Sequence, residues 1–181
     1  YSDIGLVTSY ELPKGDQGPT VQLDGIDCFL FPRSVLMVPT SSEEAVLLAG
    51  SRGATLFHVD LINGSHVEVD TIDPDSEPVQ NEQNIFMWET LILDAAVHPD
   101  GDWVATSGSD GLIHFWTLPD LQELGNPIET AVEPVNEATY MPDSVSPLAI
   151  SPDGTLLAHV QRDGEVVLRD LETLEVQTFD P

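Results

Sequence analysis

The sequence predicts an all-β protein built from repeated units of four antiparallel strands. The turn motif HPDG, His98 to Gly101, returns 53 residues later as SPDG, Ser151 to Gly154. At the same spacing Asp110-Gly111 returns as Asp163-Gly164. The apolar runs between these turns are short, which is typical of strands bounded by turn residues. A fixed internal period of this kind indicates a repeat architecture.

Each turn motif has a physical basis. Pro presets φ, Asp bonds the nearby backbone, and Gly accepts a positive φ, so strands must flank the turn. In the two best copies the second strand, b, is expected at Asp102 to Gly108 and Thr155 to Val160, and the third strand, c, at Leu112 to Thr117 and Glu165 to Asp170. Each x-Asp-Gly between strands b and c is a hairpin signal.

Two further copies are weaker. One has expected strands at Ala45 to Gly50, Thr55 to Asp60 and Ser65 to Ile72, with an Asn63-Gly64 hairpin before the last of them. The other is partial: Gly5 to Pro13 aligns with Gly111 to Pro119, so the chain is expected to begin inside a unit.

These repeats resemble the WD-repeat family in their succession of apolar strand, SPDG turn, strand, x-Asp-Gly turn and strand. The family's Trp-Asp dipeptide at the end of strand c is replaced in every copy, by Tyr10-Glu11, Val59-Asp60, Trp116-Thr117 and Arg169-Asp170. The chain also lacks the Gly-His dipeptide, so the family's His, Ser/Thr, Asp, Trp hydrogen-bond tetrad cannot be complete. Asp110 and Asp163 match the turn Asp of that tetrad.

The resemblance implies a β-propeller of four-stranded antiparallel blades, with about three full blades plus part of another. We expect a partial blade of strands c and d at 1–32, a blade at 33–72, an inserted loop and blade at 73–132, and a second inserted loop and blade at 133–181. Propellers of this family usually have seven blades, so another segment or another chain would complete the ring.

The charge is strongly acidic, with 32 Asp and Glu against 5 Lys and Arg and a net charge of -27. This balance argues against binding to nucleic acid or to an anionic membrane. The acidity has three interpretations: solubility of a β-rich surface, adaptation to molar salt, or capture of a basic partner. Cys28 is the single cysteine, nothing implies an oxidising compartment, and a cytoplasmic protein is expected.

Catalytic chemistry is not predicted. The five histidines are dispersed, Cys28 has no local base, and the acidic spacings do not match a calcium loop, so we expect no enzyme activity, no cofactor and no metal site.

The functional prediction is a protein-protein interaction scaffold or sensor module. The first insertion, Asp73 to Trp88, and the second, Glu133 to Pro147, each connect strand d of one blade to strand a, the first strand, of the next. In this family such loops share a face with the b-to-c turns. Insertions on one face often mark the binding face. The candidate partner-binding residues are Arg52, Phe86, Met87, Trp88, Asp110, Tyr140, Met141 and Arg162. The aromatic and Met residues could instead pack over the blades, and the arginines could pair with local acids.

Two other function classes stay open at this point. The chain could be the propeller portion of a larger peptidase-type enzyme whose catalytic domain lies elsewhere. It could also be an assembly subunit, in which exposed blade edges drive formation of a homo-oligomer.

Overall fold

The structure is a computed structural model of the 181-residue chain. It describes residues 4–11, 16–24, 36–39, 44–49, 55–60, 62–70, 79–80, 86–87, 92–108, 111–130, 147–161 and 164–179. These residues form three four-stranded sheets and two two-stranded sheets. Every strand pair in these sheets is antiparallel.

The strands follow one another along the chain. A hairpin of β1 (Ile4–Glu11) and β2 (Asp16–Asp24) precedes the first sheet, which contains β3 (Leu36–Pro39), β4 (Glu44–Ala49), β5 (Thr55–Asp60) and β6 (Ser65–Asp70). A small hairpin of β7 (Val79–Gln80) and β8 (Phe86–Met87) follows. The middle sheet contains β9 (Ile92–Val97), β10 (Trp103–Gly108), β11 (Leu112–Thr117) and β12 (Ile128–Glu129). The last sheet contains β13 (Leu148–Ile150), β14 (Leu156–Val160), β15 (Val166–Asp170) and β16 (Val176–Phe179).

Each four-stranded sheet has its strands in chain order, which confirms the predicted fold class of consecutive four-stranded antiparallel units. The first strands of the three sheets are neighbours, with β9 lying beside both β3 and β13. This arrangement is that of adjacent propeller blades, whose innermost strands line a common axis.

Some predicted strand ends were wrong by one residue. Strand b begins at Trp103 and Leu156 rather than at Asp102 and Thr155. The carbonyls of Asp102 and Thr155 instead accept the amides of Leu118 and Leu171, so these residues bond to the turn after strand c. Likewise β15 begins at Val166 rather than at Glu165, and β4 begins at Glu44 rather than at Ala45. Gly50 lies outside the described residues. Residues 71 and 72 lie outside the described residues.

The repeat is visible in the backbone hydrogen bonds of the two Pro-Asp-Gly turns. The His98 amide donates to Trp103 O and the Ser151 amide to Leu156 O, both at 2.9 Å. Gly101 and Gly154 have φ values of 77° and 73°, which confirms the predicted positive φ. Asp153 Oδ1 accepts bonds from the Ser151 hydroxyl and the Thr155 amide, and these bonds lower the pKa of Asp153 to about 2.

The turns after strand c also share a design. In the first sheet the Asp60 carboxylate accepts the amides of Ile62 and Asn63, and in the last sheet the Asp170 carboxylate accepts those of Glu172 and Thr173. Bonds from Asn63 and from Thr173 are the main causes that lower the pKa values of Asp60 and Asp170, respectively. The Asp of the family's Trp-Asp dipeptide therefore caps a turn in two of these sheets.

The middle sheet is buried on both faces. On one face Val104, Ala95 and Trp116 pack with Leu56 of the first sheet. The Trp116 indole donates to Thr106 Oγ1 at 2.9 Å, so the Thr and Trp members of the incomplete tetrad are bonded here. On the other face the middle sheet packs against the last sheet through five buried residues: Ala96, Ala105, Ile113, Leu148 and Leu157. Alternation along β10 places Val104 and Ala105 in different cores, as expected for a strand covered on both sides.

The Pro-Asp-Gly turns of the middle and last sheets touch each other. The His98 ring stacks on Trp103, with ring centroids 4.6 Å apart, and His98 Nε2 lies 3.3 Å from Gly154 O. A Cβ added to Gly154 would clash with His98 Nε2. Glycine is required at Gly154 both by its positive φ and by this close approach.

The substitution Gly154→Ala tests this contact against the matched variant Gly125→Ala. Gly125 has a similar φ of 74°, but nothing lies within 4 Å of its Cβ position. Gly125→Ala should lower the free energy of unfolding by about 1–2 kcal/mol through backbone strain alone. Gly154→Ala should cost about 1–3 kcal/mol more, because His98 must move. Urea unfolding of both variants checks this prediction, and equal losses would show that the His98 contact is unimportant.

Candidate interaction face

One end of the sheets collects the b-to-c turns and the connections between sheets. Because successive strands are antiparallel, this end holds the start of β9, the end of β10, the start of β11 and the end of β12. In the last sheet it holds the start of β13, the end of β14 and the start of β15. We name this end the loop face. The second insertion therefore starts and finishes at the loop face, and the first insertion ends there.

The start of the second insertion is fixed by Thr130. The Thr130 side chain is 3% exposed, and its amide and its hydroxyl each donate to Gly111 O at 2.8 Å. Gly111 closes the b-to-c turn of the middle sheet, with a φ of 79° and a bond from its amide to Gly108 O. The insertion thus leaves the sheet directly beside that turn.

The end of the second insertion is fixed by Asp94 of β9. The Leu148 amide donates to Asp94 Oδ2 at 2.8 Å, and the Ala95 amide donates to Asp94 Oδ1 at 2.9 Å. One half-buried carboxylate therefore joins the first strand of the middle sheet to the first strand of the last sheet. Hydrogen bonds to a charged acceptor are stronger than those between neutral groups, so this link is well suited to hold the base of the insertion.

Within the first insertion, Phe86 and Met87 form β8 and pair with Gln80 and Val79 of β7. These two candidate residues therefore belong to a short hairpin. The other candidates, Arg52, Trp88, Asp110, Tyr140, Met141 and Arg162, lie outside the described residues, and their roles stay predictions. The turn expected before Gly164 is confirmed, because Gly164 has a φ of 90° and its amide donates to Gln161 O.

Sequence reasoning missed Asp94 and Thr130. The available signal was weak: an acid within an otherwise apolar strand, and a threonine just before the insertion. Both residues act by bonding to backbone groups that are distant along the chain, which local patterns do not reveal.

No group of three or more His, Cys, Asp or Glu side chains in the described ranges is arranged to hold a metal ion. In the same ranges, no helix is long and apolar enough to cross a membrane.

The substitution Asp94→Ala should loosen the link between the middle and last sheets. It leaves the Leu148 and Ala95 amides without their acceptor, so we expect the free energy of unfolding to fall by about 1.5–3 kcal/mol. Asp120→Ala is the control because Asp120 is exposed and only its backbone carbonyl makes a described bond. Urea unfolding compares the two variants, and an Asp94→Ala protein as stable as the control would contradict the assigned role of the carboxylate.

Comparisons with known proteins agree with this geometry. Residues 85–117 match the family model described as WD domain, G-beta repeat. The chain is 34% identical over 92 residues to the U3 small nucleolar RNA-associated protein 4 homolog of Mus musculus, covering 51% of this chain and 12% of that protein. It resembles the crystal structure of Kluyvelomyces marxianus Hsv2 with a TM-score of 0.57 and 12% identity, covering 91% of this chain and 43% of that one. The chain thus spans less than half the length of either. Residues 85–117 thus match a WD repeat, and the four-stranded antiparallel sheets have the arrangement of blades in a partial β-propeller.

Proposed function

We propose that this protein is a non-catalytic scaffold that binds a protein partner at its loop face. WD-repeat propellers serve in general as protein-interaction scaffolds, and the matched repeat supports that general role here. The observation that carries the proposal is the convergence of the insertions. Thr130 and Leu148, the residues that flank the second insertion, are held by Gly111 and Asp94 of the middle sheet, where the first insertion also ends.

Rigid anchoring of the loop bases favours binding, because a preorganised loop loses less conformational entropy when a partner is bound. The anchors that we propose are Phe86, Met87 and Trp88 from the first insertion and Tyr140 and Met141 from the second, since large apolar side chains dominate binding energy at interfaces. Arg52, Asp110 and Arg162 of the b-to-c turns would supply polar contacts. The net charge of -27 favours a partner with a basic surface. The cytoplasmic location expected from the sequence stays a prediction.

Partner capture tests the proposed anchors. Trp88→Ala and Tyr140→Ala should each weaken binding of the captured partner by about 2 kcal/mol, or roughly thirtyfold, without altering the thermal unfolding midpoint. Leu124→Ala is the control, because Leu124 is 44% exposed and its amide bonds to Phe115 O, away from the b-to-c turn. Binding that is unchanged in both loop variants, or equally weakened in the control, would show that the loop face is not the binding face.

A second candidate role, assembly, is supported by the outer face of the last sheet. The outer face of the last sheet carries apolar residues at the same repeat positions as one face of the middle sheet. That face of the middle sheet is the one buried against the last sheet. The residues of the middle sheet are Ala96, Trp103, Ala105, Ile113 and Phe115, and those 53 positions later are Ala149, Leu156, Ala158, Val166 and Leu168. Phe179 pairs with Val166 as Ile128 pairs with Ile113, and Phe179 is 49% exposed. We propose that a further blade, from another segment or another chain, covers this face.

Native mass tests whether another copy of the chain is that cover. Sedimentation equilibrium at about 0.1 M and 3 M salt brackets weak and strong screening of the acidic surface. A self-associating wild type should lose mass on Phe179→Ser, while Ile62→Ser, which changes a 53% exposed residue in a turn of the first sheet, should not. A monomer at every concentration and both salts would exclude assembly through a second copy.

A further inference from the structure

Two positions in the last sheet break the repeat in a specific way. In the middle sheet, Thr106 of β10 and Trp116 of β11 form a buried hydrogen bond. The residues 53 positions later are His159 of β14 and Arg169 of β15. The strand register is preserved, since Leu157 pairs with Arg169 as Val104 pairs with Trp116. A hydrogen-bonded pair of uncharged side chains is thus replaced by an imidazole and a charged guanidinium.

His159 is enclosed between the middle and last sheets. It is 2% exposed and pairs with Leu148, so it shares a sheet face with a residue of the core between those sheets. Among the residues that the structure describes, neither ring nitrogen of His159 has a hydrogen-bond partner, and the buried Nε of Arg169 also has none. Leaving buried polar atoms unbonded costs free energy, and placing a charge on such a ring costs much more.

The electrostatic surroundings oppose protonation of His159. Burial is the larger cause that lowers the pKa of His159 below its ordinary value of 6.5, and the positive charge of Arg169 is the second. From the middle sheet, Asp94 faces the same interface, but its two carboxylate oxygens already accept the amides of Ala95 and Leu148. On β16 the facing residues are Val176 and Thr178, which carry no charge. His98 lies at the opposite, turn end of this interface, beside Gly154.

We propose that His159 makes the junction between the middle and last sheets an acid-sensitive joint, which stays packed while the imidazole is neutral and loosens when it is protonated. An imidazole released to water binds a proton more readily than one buried at this junction. The stability contributed by the packed joint is therefore fully present above the ordinary histidine pKa. It is lost as the pH falls from that value toward the lower pKa of the folded protein. Because Leu148 ends the second insertion, protonation of His159 would also loosen the end of that insertion at the loop face.

Urea unfolding between pH 7.5 and pH 5 tests the joint with the substitution His159→Thr, which installs the residue type found at Thr106. In the wild type the folding equilibrium constant should decrease as the pH drops below the ordinary histidine pKa. The decrease should reach up to about tenfold per pH unit for one proton. In His159→Thr this part of the pH dependence should be absent. Contributions from the other ionisable groups are common to both proteins and cancel in the comparison. His66→Gln, a change at a partly exposed histidine of the first sheet, should retain the wild-type dependence. Parallel pH profiles of the wild type and His159→Thr would overturn the proposal.

A measurement on the unaltered chain keeps the proposal testable if His159→Thr does not fold. NMR titration should place the pKa of His159 below the ordinary histidine value. Amide hydrogen-exchange protection factors, which correct for the intrinsic effect of pH, should fall in β13 to β15 between pH 7.5 and pH 5.5 while those of β5 and β6 persist. A His159 that titrates at the ordinary histidine pKa, or protection lost equally in both sheets, would contradict an acid-sensitive joint.

Discussion

Burial of the middle sheet on both of its faces is the constraint on which the rest of the structure depends. Val104 and Ala105 are adjacent in β10, yet each is fully buried in a different core, one shared with the first sheet and one with the last. A four-stranded sheet with apolar residues on both faces is stable only between two neighbours, because exposed apolar surface is costly in water. The turns and the loop face are positioned by this stacking.

The sequence predicted the parts of the fold that depend on local chemistry and repetition. Gly101 and Gly154 were expected to have positive φ, and both do. Strand b starts one residue later than predicted because the carbonyls of Asp102 and Thr155 bond to a turn that lies later in the chain. Contacts between sheets, such as Asp94 with Leu148, join residues 54 positions apart, and no local pattern predicts them. Of the candidate site, only Phe86 and Met87 lie in a described element, so the binding face and its contacts stay predictions.

Departures from the repeat are as informative as its preservation. Thr106 and Trp116 retain a buried bond, whereas the equivalent positions in the last sheet hold His159 and Arg169 with unbonded nitrogens. Conversely, the Asp that ends strand c is kept in Asp60 and Asp170, where it bonds the amides of the next turn. In the last sheet the turn cap at Asp170 is thus retained, whereas the buried hydrogen bond is lost. The junction of the middle and last sheets is therefore the least stable part of the stack.

The stacking of the sheets is the central claim, and NMR of a methyl-labelled sample measures it most directly. Nuclear Overhauser effects should connect the methyl groups of Ala105 and Ile113 in the middle sheet with those of Leu148 and Leu157 in the last sheet, because all four residues share one core. The methyl groups of Val104 should instead show effects to Leu56 of the first sheet. Effects confined within each sheet would contradict the stacked-blade arrangement and the loop face derived from it.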